Sequence, residues 1–90
     1  MNCILVINAA DNTGSALEAI PAGKKLHIQY AGKTVDLVAI DAIPFGFKIA
    51  IQDIPEGKPI LKYGEVIGEA SRDILAGECV HIHNVNGKRA

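Results

Sequence analysis

Short hydrophobic runs separated by turn signals are the main pattern along the chain. Leu26, Ile28 and Tyr30 alternate with His27 and Gln29, which is the period of a strand with one buried face. The apolar run 3–8 is typical of a buried strand, and residues 31–33 (Ala-Gly-Lys) predict a hairpin turn after the strand 26–30. Further strands are predicted at 34–40, 48–51, 59–63, 66–70 and 78–84. The pattern predicts an all-β fold of many short strands.

One motif, Ile-x-x-Gly-x-x-apolar, recurs through the chain. It reads IPAGKKL at 20–26, IPFGFKI at 43–49, IPEGKPI at 54–60 and ILAGECV at 74–80. Proline fixes φ near the value for the second position of a β-turn, and the glycine accepts positive φ. Each copy therefore predicts strand, tight turn, strand. The copies are unevenly spaced, so we interpret them as a turn that recurs within a single compact fold rather than as a solenoid repeat.

The segment 14–20 (GSALEAI) departs from the strand pattern. Its Ala, Leu and Glu residues favour helix, so it predicts a turn or two of helix capped by Asp11 or Ser15.

Composition narrows the function classes. Hydrophobic residues make up 49% of the 90 residues and charged residues 21%, so we expect one globular domain over 1–90 with a tail from about 85 to 90. Nine basic and ten acidic residues leave a formal charge of −1, which disfavours nucleic-acid binding. No apolar run is long enough to span a membrane, and the N-terminal segment lacks the basic residues of a signal peptide. We therefore expect a cytoplasmic protein with reduced Cys3 and Cys79.

The segment CVHIHN at 79–84 carries the candidate chemistry. In an extended strand Cys79, His81 and His83 would share one face. Neighbours on that face lie about 6.6 Å apart, so two imidazoles could reach one metal ion whereas all three side chains could not. His27 and Asp11 are candidate further ligands, and an Asx turn is the alternative for Asp11. The two histidines fit equally well on the solvent side of an ordinary strand.

Four segments together resemble the altronate/galactarate dehydratase family. They are Asp11-Asn12, GFKIAIQDI at 46–54, LKYGEVIG at 61–68 and DILAGECVHIHN at 73–84. The resemblance is to the SAF-type N-terminal domain of these enzymes, which in sulfolactate sulfo-lyase is a separate small subunit. It implies a small β-clip (SAF-like) domain of short strands joined by Pro/Gly turns, working beside a large catalytic subunit. Family enzymes eliminate water or sulfite from sugar acids or small hydroxy carboxylates, usually with a divalent metal such as iron.

On this basis we assign candidate roles to six residues. His81 and His83 are the catalytic candidates, acting in proton transfer. The metal candidates are Asp11, His81 and His83, with the metal shared with the partner subunit. Lys48 and Asn84 are the substrate-binding candidates, and Lys62 is a further lysine that could hold a carboxylate.

One position departs from the family pattern. The family usually has Gly-His-Lys where this chain has Gly46-Phe47-Lys48, and phenylalanine has neither a lone pair nor a titratable proton. This departure supports an alternative, a non-catalytic carbohydrate-binding or assembly module. The exposed edges of so short an all-β chain also allow a homo-oligomer.

Overall fold

A computed structural model describes residues 3–87, and within that range the chain is all-β, as predicted. Its strands are β1 (Ile4–Leu5), β2 (Thr13–Ala16), β3 (Lys25–Tyr30), β4 (Lys33–Val38), β5 (Lys48–Ala50), β6 (Pro59–Lys62), β7 (Glu65–Ala70), β8 (Cys79–Val80) and β9 (Val85–Gly87). No helix of the length and apolar character needed to cross a membrane occurs in the described range.

The strands form three small antiparallel sheets. A central sheet has the order β1-β2-β5-β8, β3 and β4 form a hairpin, and β6, β7 and β9 form a three-stranded sheet. Both hairpins close through a left-handed residue followed by glycine: Ala31 (φ 52°) with Gly32 (φ 76°), and Tyr63 (φ 56°) with Gly64 (φ 76°). Two successive positive φ values are typical of the type I′ turn, whose twist suits a hairpin.

The chain has two halves, one built around the β3–β4 hairpin and the other around the β6–β7 hairpin, and both repeat one hydrogen-bonding pattern. In each half an isolated β-bridge between two isoleucines closes the base of a hairpin. Two turn glycines in each half donate their N–H groups to alanine carbonyls. The equivalent contacts are Ile20–Ile43 with Ile54–Ile74, Gly23–Ala39 with Gly57–Ala70, and Gly46–Ala16 with Gly77–Ala50. The four copies of the Ile-x-x-Gly motif are therefore two equivalent pairs, one pair around each hairpin.

The predicted turn in each motif is confirmed, but the position of proline within the turn differs from the prediction. In the first copy Lys24 donates its N–H to the carbonyl of Pro21 at 3.2 Å, and Gly23 between them has a φ of 89°. Proline therefore occupies the first turn position, not the second, and glycine the third, which is where a type II turn requires positive φ. In the second copy Phe47 donates to Pro44 in the same way, at 3.0 Å.

Each half has its own apolar cluster built mainly from isoleucine. The buried members of the first cluster are Ile4, Ala16, Ile20, Leu26, Ile28, Tyr30, Ala39, Ile43, Ile49, Ile51 and Cys79. The second cluster contains Ala50, Ile54, Ile60, Ala70, Ile74 and Val80. Strands β5 and β8 contribute to both clusters, because successive residues of a strand point to opposite faces.

The predicted helical turn in 14–20 is wrong. Residues 13–16 form β2, which pairs with β1 on one side and β5 on the other. A Cβ atom at Gly14 would lie 2.5 Å from the side chain of Ile4, so this position is packed too closely for a side chain. Pairing on both edges outweighs the weak helix propensity of the segment.

The end of the chain also differs from the prediction. Strand β8 ends at Val80 rather than at residue 84, and a turn over 81–84 brings the chain back. Residues 85–87, predicted as part of a tail, form β9 against β7. Residues 88–90 of the predicted tail lie outside the described range.

Candidate functional site

Segments from four parts of the chain meet at one corner of the molecule, which we call the polar corner. It comprises residues 11–13, 47–48, 61–64 and 79–81. Strand pairing sets Lys48 beside Val80, and side-chain hydrogen bonds from 11–13 hold 61–64 against the same sheet. Each of the four segments on which the family resemblance rests contributes residues to this corner.

Asp11 is buried and clamps the turn at the end of β6. Only 2% of the residue is exposed. Its carboxylate accepts N–H groups from Tyr63 at 2.9 Å, Gly64 at 2.7 Å and Asn8 at 3.2 Å. Because Tyr63 is in the left-handed region, which costs a non-glycine residue about 1–2 kcal/mol, the clamp stabilises an otherwise unfavourable turn. Asp11 therefore does not form the Asx turn of the alternative, in which its carboxylate would accept the N–H of the residue two positions on. Its role as a metal ligand stays a prediction.

The two residues after Asp11 extend this clamp along β6. The Asn12 side chain donates to the carbonyl of Pro59 at 2.9 Å and accepts the N–H of Leu61 at 2.8 Å, as a strand partner would. The Thr13 hydroxyl donates to the carbonyl of Leu61 at 2.9 Å. Sequence reasoning missed this role, because nothing in the local pattern indicates which distant strand these side chains bind.

Lys48 and Lys62 bring two positive charges to the polar corner. Burial lowers the pKa of Lys48, and the nearby Lys62 ammonium lowers it further, while Cys79 and Tyr63 act weakly in the opposite direction. The Lys62 ammonium lies 4.9 Å from the centre of the Tyr63 ring, in a cation–π contact. Burial, with the nearby Asp41 carboxylate, raises the pKa of the Cys79 thiol, so that sulfur is protonated near neutral pH.

Phe47 packs against His81 immediately before the start of β5. The two ring centres are 4.6 Å apart and the rings are tilted by 49°. Phe47 also contacts the first apolar cluster, and both side chains are half-buried. The position at which the resemblance predicts a histidine thus lies directly beside His81.

His83 and Asn84 lie in the turn that follows β8. Cys79, His81 and His83 do not share one strand face, because the extended strand expected over 78–84 stops at Val80. Asn84 is fully buried at 0% exposure, accepts the N–H of His81 at 3.0 Å and donates to the carbonyl of Cys79 at 2.8 Å. These bonds replace the strand pairing that would have kept the chain extended. His83 is exposed on the turn, and Asn84 has no face open to a substrate.

The residues of the described range do not assemble a metal site by themselves. No group of three or more His, Cys, Asp or Glu side chains in 3–87 is arranged to hold a metal ion. His27, a further candidate ligand, pairs with Asp36 at 2.6 Å on the exposed face of the first hairpin. The predicted set of Asp11, His81 and His83 therefore does not fit a complete centre within this chain.

The fold and the polar corner define a small all-β domain made of two equivalent hairpin halves, with a polar site where the halves meet. The chain belongs to the altronate/galactarate dehydratase SAF domain family, whose family model matches residues 2–88.

Named relatives agree with this assignment. The chain is 36% identical over 93 residues to (2R)-sulfolactate sulfo-lyase subunit alpha of Chromohalobacter salexigens, covering 99% of both chains. It is 42% identical over 84 residues to altronate dehydratase of Bacillus subtilis, covering 93% of this chain. That match spans only 16% of the dehydratase, so the chain corresponds to a small part of that enzyme. Altronate dehydratase of Escherichia coli is 38% identical over 78 residues, or 15% of its length.

Proposed function

We propose that this chain is the small subunit, or the corresponding domain, of a lyase that acts on sugar acids or small hydroxy carboxylates. The observation that supports it best is the match over 99% of both chains to a relative named as subunit alpha of a sulfo-lyase. In the altronate dehydratases the same domain makes up about a sixth of a much longer chain. The partner in our proposal is a large dehydratase-family subunit that contributes most of the active site.

The polar corner, with the adjoining turn over 81–84, is the part of this chain that we assign to the shared active site. Eliminating water or sulfite from a hydroxy acid requires a base for the proton next to the carboxylate and an acid for the leaving group. His81, half-buried beside Phe47, and the exposed His83 are the titratable side chains that we propose for proton transfer. The divalent metal, such as iron, enters the proposal only as a centre shared with the large subunit, since this chain lacks a complete ligand set.

Co-expression with a large family subunit tests the proposal. We expect the two chains to co-purify and the complex, supplied with ferrous ion, to turn over one substrate from a panel of altronate, galactarate and sulfolactate. Neither chain should do so alone. His81→Ala and His83→Ala identify which histidine takes part, with His27→Ala on the first hairpin as the matched control. Full activity of the large subunit without this chain would refute the proposal.

A second candidate function is a non-catalytic carbohydrate-binding or assembly module. The contact between Phe47 and His81 favours it, because an apolar ring occupies the position of a family histidine beside the half-buried imidazole. On this alternative the chain joins the large subunit or binds a sugar acid, but the His81→Ala and His83→Ala complexes keep full turnover. Calorimetric titration of the isolated chain with sugar acids tests its binding role directly.

A further inference from the structure

Two lysines that are distant in sequence are held close together at the polar corner. On β5, Lys48 lies in one row with Ser15 of β2 and Val80 of β8, so all three side chains point to the same face of the central sheet. Strand β6 crosses that face, because Thr13 of β2 donates its hydroxyl to Leu61. The residue after Leu61 is Lys62, which therefore lies next to the Lys48 row.

Neither lysine forms an ion pair within the described part of the chain, although Glu65 lies opposite Lys62 in the second hairpin. The ion pairs found in residues 3–87 are Lys24–Glu18 and His27–Asp36, and neither involves Lys48 or Lys62. Both lysines are half-buried, so their positive charges are less well hydrated than those of ordinary surface lysines. Burial is the main reason that the pKa of Lys48 is lowered, and the Lys62 charge lowers it further.

The fold stabilises this unfavourable arrangement with buried polar groups. Asp11 fixes the left-handed Tyr63 immediately after Lys62, and Asn12 fixes Leu61 immediately before it. The aromatic ring of Tyr63 lies against the Lys62 ammonium. Lys62 thus sits between two clamped residues, which fixes the position of its backbone beside the Lys48 row.

We propose that Lys48 and Lys62 form an anion site that binds the carboxylate or sulfonate group of a small hydroxy acid. Two ammonium groups attract such a group through charge-assisted hydrogen bonds, and the bound anion neutralises their mutual repulsion. The inference depends on the proposed function for the identity of the hydroxy acid, but the anion site itself does not. Asp11 and Asn12 act in it as positioning residues.

Nuclear magnetic resonance titration of the 90-residue chain tests the site without any partner. The probes are sodium malate and sodium sulfate, with glycerol as the neutral control, at constant ionic strength. We expect saturable shifts of the side-chain resonances of Lys48 and Lys62, and a rise in the pKa of Lys48 when either anion binds. Lys48→Gln and Lys62→Gln should each remove the response. Lys58→Gln, at an exposed turn lysine, should preserve it.

Shifts that fail to saturate, or that are equal in Lys58→Gln and Lys48→Gln, would overturn the inference. A second measurement is the pKa of Lys48 in the Lys62→Gln variant. Removing the neighbouring charge should raise this pKa toward its ordinary value. If that pKa does not move, the two lysines do not form one site.

The active complex supplies the second arm of the test. We expect Lys48→Gln to raise KM for the anionic substrate by about 10- to 100-fold, the range for one lost hydrogen bond to a charged group, with a smaller effect on kcat. Lys48→Arg should restore much of the affinity. If Lys48→Gln instead prevents assembly, an acidic side chain of the large subunit is the ligand and the small-anion site is refuted. An inactive wild-type complex would count against the proposed function alone, because the titration is independent of it.

Discussion

At the residue scale, Asp11 has the clearest structural role in the polar corner. Asp11→Ala should lower the free energy of unfolding by about 2–3 kcal/mol, because three backbone N–H groups lose a charged acceptor. Urea unfolding measures this loss, and hydrogen exchange at Tyr63 and Gly64 should accelerate together. The control is Asp36→Ala, which removes an exposed carboxylate and should change stability by less than about 1 kcal/mol. Equal losses in the two variants would contradict the clamp.

Phe47 occupies the position at which the family resemblance predicts a histidine. Phe47→His would place a second imidazole beside His81, where the two ring centres are now 4.6 Å apart. Histidine nitrogens bind zinc at about 2.0–2.1 Å, so two neighbouring imidazoles can share one ion. We therefore expect Phe47→His to bind Zn²⁺ or Co²⁺ more tightly than the original chain, as measured by calorimetry.

The matched control for this change is the double variant with Phe47→His and His81→Ala, which should lose the added affinity. Circular dichroism checks that both variants fold, since Phe47 also packs against the first apolar cluster. Equal metal affinity in the single and double variants would mean that the position beside His81 does not create a ligand pair.

At the element scale, the two motif glycines of the second half allow a direct comparison. Gly57 and Gly77 both have positive φ, at 83° and 97°, but they differ in the space around them. A Cβ atom at Gly57 meets nothing within 4 Å, whereas one at Gly77 would lie 2.2 Å from the Val38 carbonyl oxygen. Gly57→Ala should cost about 1–2 kcal/mol for the backbone conformation alone. Gly77→Ala should cost more than twice as much, because the backbone must also move.

Urea unfolding of both variants measures this difference. Gly46→Ala is an informative third variant, because Gly46 is the first-half equivalent of Gly77 but has open space around it. It should behave like Gly57→Ala. A similar loss in Gly77→Ala and Gly46→Ala would show that Val38 does not approach the turn as closely as described.

Elements were predictable from the sequence where a local signal defines them. Strand β3 follows the alternation of Leu26, Ile28 and Tyr30, and the turns follow the glycines of the repeated motif. The helical prediction at 14–20 was wrong, because strand pairing on both edges of β2 has no local signature. The end of β8 was missed for the same kind of reason: the buried Asn84 side chain, not a proline or glycine, turns the chain.

The candidate site shows the same division. The family motifs indicated segments that the fold brings together at the polar corner, and Lys48 was among the residues selected from them. Its neighbour Lys62 could not be paired with it in advance, because that proximity depends on side-chain bonds from Asn12 and Thr13 to a distant strand. The spacing of the motifs along the sequence does not predict these long-range hydrogen bonds. The catalytic and metal roles of His81 and His83 stay predictions.

At the scale of the whole molecule, the two halves share strands and should unfold together. Ile43 and Ile74 are equivalent residues, each 1% exposed, one in each apolar cluster. Ile43→Ala and Ile74→Ala should each lower the free energy of unfolding by about 2–5 kcal/mol, the usual cost of a cavity of this kind. Because β5 and β8 contribute to both clusters, each variant should retain a single transition.

Urea unfolding followed by both far-ultraviolet circular dichroism and tyrosine fluorescence checks this expectation. Tyr30 lies in the first cluster and Tyr63 in the second hairpin, so the signals report on both halves. Two separated transitions in Ile74→Ala, with the first half still folded, would show that the halves are independent.

The two hairpin tips differ in a way that is useful for building reagents. Tyr63-Gly64 is held by Asp11, whereas the matching Ala31-Gly32 turn has the same left-handed geometry without a carboxylate clamp. A cysteine for dye attachment, or a short epitope, is therefore best placed at 31–32. There it disturbs no side-chain bond of the polar corner, and a labelled chain can report on assembly while Lys48 and His81 remain as they are.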